Sequence, residues 1–197
     1  LETKQFQGGQ SNPTFAIEGK KTRYVLRKKP PGKLLPSAHL IEREYRIMNA
    51  LSETDVPVPK MHHLCENPDV VGTAFFVMDF LEGRIIDDTS IPGDFSASDR
   101  LEIFDSMNKA LAALHCVDFK KIGLEDYGKP ENYIGRQIDR WTKQFDAAKT
   151  GPMPAMDALI EWLPKNRPEA DEVSIAHGDF RMGNLVLHPT KPEVVAV

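Results

Sequence analysis

The sequence has few cysteines and no long apolar run, and these two shortages exclude several classes of protein. Its 197 residues include two cysteines, Cys65 and Cys116, which lie far apart and lack the spacing of a metal site. A disulfide framework is therefore excluded, and both cysteines fit small buried residues in a reducing compartment. No apolar run approaches the ~20 residues of a membrane-spanning helix, and no signal peptide opens the chain. We expect a cytoplasmic protein with no membrane partner.

The sequence also lacks a basic excess. Its formal net charge is -4 at pH 7, with 27% charged and 41% hydrophobic residues, which is ordinary for a globular protein. Surfaces that bind nucleic acids usually carry an excess of Lys and Arg, so we expect no nucleic-acid partner. The length allows one sizeable core or two lobes that share a hinge.

The most informative segment runs from His177 to Asn184 and reads HGDFRMGN, between two short apolar runs. Phosphoryl transfer uses an Asp that accepts the proton of the attacking hydroxyl, and an Asn whose side-chain oxygen binds the magnesium ion on the nucleotide phosphates. Asp179 and Asn184 have these types and this order. Because Asp and Asn are also common in turns, the motif alone leaves an ordinary polar turn as the alternative.

The first half of the chain is predicted to be rich in strands. A turn at residues 19–20 indicates an antiparallel hairpin between the first two strands. Apolar residues that recur at helical spacing between Leu40 and Leu51 predict one helix, with Ser37 as its N-cap. The predicted strands are residues 14–17, 22–27, 61–64 (an edge strand) and 74–80 (a buried strand).

The second half is predicted to be helical. Two helices are expected from Ser98 to His115 and from Asn132 to Lys149, and a shorter one ends before Pro164. The change from strands to helices predicts an α+β protein with an N-lobe at residues 1–80, a hinge at 81–83 and a partial C-lobe at 84–197. The apolar residues predicted to share a helix face are Leu101, Phe104, Leu111 and Leu114 in the first helix and Ile134, Ile138, Trp141 and Phe145 in the second.

The order of these features resembles a protein kinase: a glycine-rich loop, a strand with a cation, a helix with a glutamate, an apolar strand, a joint, helices and the H-x-D-x-x-x-x-N loop. The closer resemblance is to the aminoglycoside phosphotransferase and choline kinase superfamily, whose catalytic loop also reads His-Gly-Asp. Within it, the chain resembles the branch found alone in bacteria and fused to acyl-CoA dehydrogenases in animals. The resemblance covers the chain nearly end to end, and its shared segments are residues 9–14, 25–32, 35–39, 162–164 and 177–181.

The resemblance implies a two-lobe kinase fold that binds ATP on the N-lobe. Arg27 falls where these kinases usually carry a lysine for the α- and β-phosphates, and Glu44 would hold that cation, so we predict that the two side chains pair. Lys28 and Glu42 are the rivals, although strand alternation turns Lys28 to the opposite face from Arg27. The other implied nucleotide contacts are Gly8, Gly9, Ser11 and Asn12 in a phosphate-binding flap and Val25, Met78, Asp79 and Leu81 around the adenine.

The resemblance also implies that Asp179 is the catalytic base, that Asn184 binds Mg²⁺ and that Arg181 contacts the transferring phosphoryl group. Arg181 could equally pair with an acid elsewhere. In this superfamily a second metal-binding Asp follows a short apolar strand, which residues 194–197 resemble, and we predict that this strand lies beside residues 185–187. We therefore expect a fragment of a longer kinase that is inactive by itself. We also expect the apolar faces of the two predicted helices, Ser98 to His115 and Asn132 to Lys149, to be partly uncovered, which would favour a homo-oligomer.

The expected function is transfer of the γ-phosphoryl group of ATP to a hydroxyl of a small molecule. The branch favours an acceptor of the hydroxyacyl-CoA type over an aminoglycoside or choline. One alternative is a pseudokinase or nucleotide-binding scaffold without turnover. Another is a metal-dependent phosphohydrolase that uses His177 and Asp179, but it lacks the further His or Asp cluster that such an enzyme needs.

Overall fold

The computed structural model of the chain describes residues 2–6, 12–32, 40–88, 95–168 and 172–197. It is an α+β fold in which an antiparallel sheet is followed by helices, as predicted. The chain forms two compact units, one of Leu1–Leu124 with Ser174–Val197 and the other of Glu125–Val173. The first unit holds both the sheet and the loop that contains Asp179, so the predicted lobe boundaries at residues 81–83 do not coincide with the boundary between the units. The division into lobes stays a prediction.

Five antiparallel strands form the sheet, in the order β1-β2-β3-β5-β4. The hairpin, the edge strand and the inner apolar strand that were predicted are present as β2–β3, β4 and β5. The first strand was not predicted, because its sequence ETKQ contains no apolar residue and joins the sheet only by pairing with β2. The strands are β1 (Glu2–Gln5), β2 (Thr14–Glu18), β3 (Arg23–Lys28), β4 (Met61–Cys65) and β5 (Phe75–Asp79).

Helix α1 (Ile41–Leu51) packs on one face of the sheet. It begins after Leu40, which makes no side-chain cap hydrogen bond, and the predicted N-cap Ser37 lies outside the described residues. Ile41 and Phe76 are fully buried where the helix meets β5. In the ladder Phe76 lies opposite Arg27, and directly opposite residues of antiparallel strands point to the same face. The register therefore turns Arg27 toward α1.

Helix α2 (Pro68–Val71) is a single turn between β4 and β5 that was not predicted, and helix α3 (Ala97–Cys116) is the longest helix described. A capping box sets the start of α3, since Asp99 N–H donates to Ser96 Oγ at 3.0 Å and Ser96 N–H donates to Asp99 Oδ2 at 2.9 Å. The Ser96 hydroxyl also donates to Asp99 Oδ2 at 2.7 Å. This hydrogen bond, followed by the one from the Ser96 N–H, lowers the pKa of Asp99 below its ordinary value.

The apolar face predicted for α3 is partly uncovered, as expected. Leu101 and Phe104 are 69% and 48% exposed, whereas Ile103 is fully buried and Ala110 and Leu114 are nearly so. The helix carries two neighbouring apolar stripes, and it is the Ile103 stripe that meets the segment around Met182 to Val194. Sequence periodicity does not distinguish between two such stripes. Which stripe is buried depends on where the segment from Met182 to Val194 packs on the helix.

Strands β6 (Val186–Leu187) and β7 (Val194–Ala196) form an antiparallel pair, with Val186 opposite Ala196, as predicted for residues 185–187 and 194–197. Arg84, just beyond the predicted hinge, exchanges two backbone hydrogen bonds of 2.8 Å with Leu187. Its guanidinium also donates to the carbonyls of His188 and Lys191. This pairing fixes the chain after β5 beside the loop that carries Asp179.

The second unit contains α4 (Tyr133–Ala148), α5 (Pro154–Trp162) and a 3₁₀ turn (Leu163–Lys165). Trp141, predicted on the apolar face of α4, is 60% exposed, whereas Ile134, Ile138 and Phe145 are half-buried. The predicted face is therefore partly uncovered at Trp141, as expected. In the part of the chain that the structure describes, no helix combines the length and the apolar character that crossing a membrane would require.

Candidate active site

Arg27 and Glu44 form an ion pair between β3 and α1, with Nε 2.6 Å from Oε1. The predicted pairing is confirmed. The arginine side chain is 28% exposed and the glutamate 30% exposed, so water screens the pair only in part. Arg27 Nε itself is buried and its N–H does not meet hydrogen-bond geometry with any described acceptor, so the contact with Glu44 is ionic in character.

Asn12, which precedes β2, and Thr14, the first residue of β2, join this pair. Asn12 is 6% exposed and its Nδ2 donates to the second glutamate oxygen, Oε2, at 3.1 Å. Arg27 Nη1 donates to Thr14 Oγ1 at 3.1 Å, and the Thr14 hydroxyl donates to the carbonyl of Asn12 at 3.0 Å. Sequence reasoning missed Thr14, although its position opposite Arg27 in the β2–β3 hairpin was a usable signal. The other predicted flap residues, Gly8, Gly9 and Ser11, lie outside the described residues.

The two rival residues have other contacts. Lys28 Nζ donates to the carbonyl of Val71 at 2.8 Å, at the end of α2. Glu42 Oε1 lies 3.7 Å from Lys29 Nζ. Neither residue contacts the Arg27–Glu44 pair, so the geometry favours Arg27 over Lys28 as the cation that Glu44 holds.

The residues predicted around the adenine lie together on β3, on β5 and in the chain that leaves β5. Val25 is 7% exposed and lies opposite Met78, which is half-buried. Leu81 follows in irregular chain. The Asp79 carboxylate is bound by His62 Nε2 at 2.6 Å, a contact that sequence reasoning missed because His62 sits at an irregularity in β4. The predicted adenine contact of Asp79 uses its carbonyl, and it stays a prediction.

The loop from His177 to Asn184 brings its acid and its amide into direct contact. Asn184 Nδ2 donates to the Asp179 backbone carbonyl and to Oδ2, both at 2.8 Å. The nearly buried side chains of Met182 and Leu185 anchor the end of this loop in the core with α3. Because Nδ2 points at Asp179, the Asn184 side-chain oxygen points away from it, as a metal ligand at this position would require.

Arg181 lies beside the predicted base. Its Nε is 3.6 Å from Asp179 Oδ2, and both side chains are more than half exposed. A Cβ atom on Gly183 would lie 2.5 Å from Arg181 Nη1 and 2.6 Å from Asp87 Oδ1. A side chain at position 183 would therefore displace Arg181, Asp87 or both, and sequence reasoning did not single out Asp87.

His177 stabilises the start of the loop. The Asp179 backbone N–H donates to His177 Nδ1 at 3.3 Å, and the imidazole packs edge-on against Phe180 with the ring centroids 5.7 Å apart. Gly178 between them has a φ of +83°, which favours glycine. Although the side chain is exposed overall, partial removal of water lowers the pKa of His177, against the raising effect of the Asp179 carboxylate.

This lowered pKa predicts a pH dependence of stability. At pH values between the lowered pKa of folded His177 and its ordinary value of 6.5, the unfolded chain binds more protons than the folded chain. The contribution of His177 to the free energy of unfolding is therefore present above about pH 6.5 and is lost as the pH falls. We expect wild type to lose more unfolding free energy than His177→Gln between about pH 7.5 and about pH 5. Urea unfolding at both pH values measures this, with His63→Gln on exposed β4 as the control. An equal loss in wild type and His177→Gln would contradict the assignment.

The structure thus brings the site residues together in two groups within the first unit. One group is Asn12, Thr14, Arg27 and Glu44, and the other is the loop with Asp179, Arg181 and Asn184. Among the described residues, no three His, Cys, Asp or Glu side chains cluster as a metal site. The side-chain oxygen of Asn184 suits Mg²⁺, which usually takes one or two protein ligands and completes its shell with phosphate and water.

Known proteins share both the sequence and the fold. Acyl-CoA dehydrogenase family member 10 of Mus musculus is 48% identical over 197 residues, which is 100% of this chain and 18% of that protein. A crystal structure from Ralstonia eutropha JMP134, provisionally assigned as an aminoglycoside phosphotransferase, is 51% identical with a TM-score of 0.88 and covers 100% of this chain and 57% of that one. The chain therefore spans about a fifth of the mouse relative and somewhat over half of the bacterial one.

A more distant structure shows how far the fold is shared. The streptomycin–ATP ternary complex of APH(2″)-IIa is 14% identical with a TM-score of 0.68, and the match covers 100% of this chain and 64% of that one. At this identity the likeness concerns the fold alone. The profile of the phosphotransferase enzyme family (APH) matches residues 2–197, nearly the whole sequence. The chain therefore belongs to the phosphotransferase enzyme family.

Proposed function

We propose that the protein containing this chain transfers the γ-phosphoryl group of ATP to a hydroxyl of a small molecule. The observation that carries the proposal is the contact of Asp179 with Asn184, an acid held against an amide within an H-x-D-x-x-x-x-N loop. Membership of a phosphotransferase family supports the same reaction class. The APH(2″)-IIa structure, which shares the fold, contains ATP.

Each residue has a role that follows from its chemistry. Asp179 is an exposed carboxylate and accepts the proton of the acceptor hydroxyl. As it does so, the hydroxyl oxygen of the acceptor attacks the γ-phosphorus and ADP leaves. The Asn184 side-chain oxygen would hold Mg²⁺, which would neutralise charge on the phosphates. Arg181, 3.6 Å from Asp179, adds a cation beside the developing negative charge. Arg27 binds the α- and β-phosphates from the N-terminal sheet.

The acceptor is proposed to be a hydroxyacyl-CoA thioester. The support is the 48% identity to an acyl-CoA dehydrogenase family member, against 16% and 14% for the type VIII and APH(2″)-IIa aminoglycoside phosphotransferases. The 51% identical bacterial structure carries the name aminoglycoside phosphotransferase only as a provisional assignment. A kinase that shares a chain with an acyl-CoA dehydrogenase would act on the same class of thioester. An aminoglycoside or choline is the less favoured acceptor, and nucleic acids and membranes are not proposed as partners.

The test is a transfer assay with ATP labelled at the γ-phosphate and Mg²⁺, in which the full-length protein meets hydroxyacyl-CoA thioesters, aminoglycosides and choline. We expect label in the phosphorylated thioester, with at least about tenfold higher kcat/KM than for the other two classes. Label in an aminoglycoside or choline alone would correct the acceptor and keep the reaction. Nucleotide binding without transfer to any hydroxyl would overturn the proposal in favour of a pseudokinase.

A further inference from the structure

We propose that Asn12 and Thr14 are positioning residues that hold Arg27 ready for the nucleotide phosphates, an inference that rests on the proposed function. Neither residue needs to touch the nucleotide through its side chain in order to do this. Their contacts with Arg27 and Glu44 close a ring, and the ring ties the end of the glycine-rich segment to the cation that binds phosphate.

The ring can be followed atom by atom. Arg27 Nη1 donates to Thr14 Oγ1 at 3.1 Å, and the Thr14 hydroxyl in turn donates a hydrogen bond to the carbonyl of Asn12 at 3.0 Å. Asn12 Nδ2 donates to Glu44 Oε2 at 3.1 Å. The other oxygen of Glu44 lies 2.6 Å from Arg27 Nε and closes the ring. Every member is thus held from two sides.

An arginine at this position needs its guanidinium plane to be oriented, and the ring provides that orientation. A lysine ammonium is a compact charge that one carboxylate can place, whereas a guanidinium is planar and must also be fixed in rotation. Glu44 holds the Nε edge and Thr14 holds Nη1, so the plane of the Arg27 guanidinium is set by two contacts. No contact to Nη2 is seen among the residues that the structure describes. The ring therefore directs Nη2 toward a ligand such as a phosphate oxygen.

Burial and register make the ring rigid. Asn12 is only 6% exposed, and a buried amide is costly unless its donors are satisfied. Thr14 lies directly opposite Arg27 in the β2–β3 ladder, and Lys28 N–H donates to the Pro13 carbonyl at 2.9 Å just beyond it. The register of the two strands thus places the Thr14 hydroxyl next to the Arg27 side chain. Loss of the hydroxyl would loosen Arg27 while the strands stay paired.

The experiment compares Thr14→Val, which keeps the shape of the side chain, with Thr14→Ser, which keeps the hydroxyl. Calorimetric titration of magnesium-ATP into the full-length protein should give a dissociation constant about fivefold to tenfold higher for Thr14→Val, the low end for a hydrogen bond from a charged group. Thr14→Ser should stay within about twofold of wild type. Thr3→Val, on exposed β1, is the matched control and should leave the constant unchanged.

Two further measurements separate positioning from plain stabilisation. When Arg27→Lys is already present, adding Thr14→Val should raise the dissociation constant of magnesium-ATP by less than about twofold. A residue that acts only through the Arg27 guanidinium has nothing left to position in that variant. In nucleotide-free protein, exchange of the Arg27 Nε proton, followed by nitrogen-15 NMR, should be several-fold faster in Thr14→Val and in Asn12→Ala than in wild type or Thr14→Ser.

The outcomes distinguish the inference from the proposed function. If wild type binds magnesium-ATP and Thr14→Val binds it equally well, the positioning role is overturned and the proposed function stands. An equal loss in the wild-type and Arg27→Lys backgrounds would also overturn it, because Thr14 would then act independently of Arg27. If wild type binds no magnesium-ATP, both the proposed function and the positioning role fail. If proton exchange at Arg27 is the same in all variants, only the positioning role is contradicted.

Discussion

Asp179→Ala is expected to lower kcat for phosphoryl transfer by about 10²–10⁴-fold, the usual contribution of a positioned general base. The dissociation constant of magnesium-ATP should stay within a few-fold of wild type. Asp179 acts on the acceptor hydroxyl and contributes mainly in the transition state, so turnover suffers more than affinity. Transfer of labelled phosphate, measured alongside calorimetric nucleotide titration in the full-length protein, checks both parts of this prediction.

The control for this prediction is Asp105→Ala, which removes an exposed carboxylate from α3 far along the chain from the loop. It should leave both kcat and nucleotide affinity unchanged. If Asp179→Ala retained wild-type turnover, Asp179 would have no role as a base. If it instead lost nucleotide binding to the same extent as turnover, its role would be in metal or phosphate binding.

Asn184→Ala should lower kcat/KM for magnesium-ATP by about 10²-fold or more, because a bound metal ion supplies several kcal/mol of charge stabilisation. The substitution also removes both 2.8 Å hydrogen bonds to Asp179. A magnesium titration separates these two effects. A lost metal ligand predicts that the variant needs a higher Mg²⁺ concentration for half-maximal rate, and that added Mg²⁺ restores part of the activity.

Asn108→Ala, at an exposed position of α3, is the matched control and should keep the wild-type magnesium dependence. A variant at position 184 that is slow but has an unchanged magnesium requirement would show that Asn184 only holds Asp179. Full activity in Asn184→Ala would remove the residue from both roles and would count against the proposed function.

Much of the fold could be predicted from the sequence because its signals are local. Alternating apolar residues around a turn at residues 19–20 are enough to specify the β2–β3 hairpin, and the apolar run of β5 is too short for a helix and too apolar for an exposed strand. The chemistry of the Asp179 loop could also be read directly, because the acid and the amide are five residues apart. In each case the residues that decide the outcome are close in sequence.

The features that sequence reasoning missed depend on contacts between distant segments. It did not single out Ile103, which the packing of the β6–β7 region buries on α3. Sequence reasoning did not single out the contact of His62 with Asp79, because this contact crosses from one strand to another. Propensity and periodicity carry no information about which distant side chain a polar group will meet.

The sequence by itself determined the types of group available for chemistry: a carboxylate and an amide in one loop, and a cation on a strand followed by a glutamate on a helix. Only the tertiary structure decided how they are held. Asn12 and Glu44 are separated by 32 positions, and the register of β2 on β3 together with the packing of α1 brings them to 3.1 Å. A closed ring of contacts requires all of these elements in place at once, and no local pattern in the chain encodes that condition.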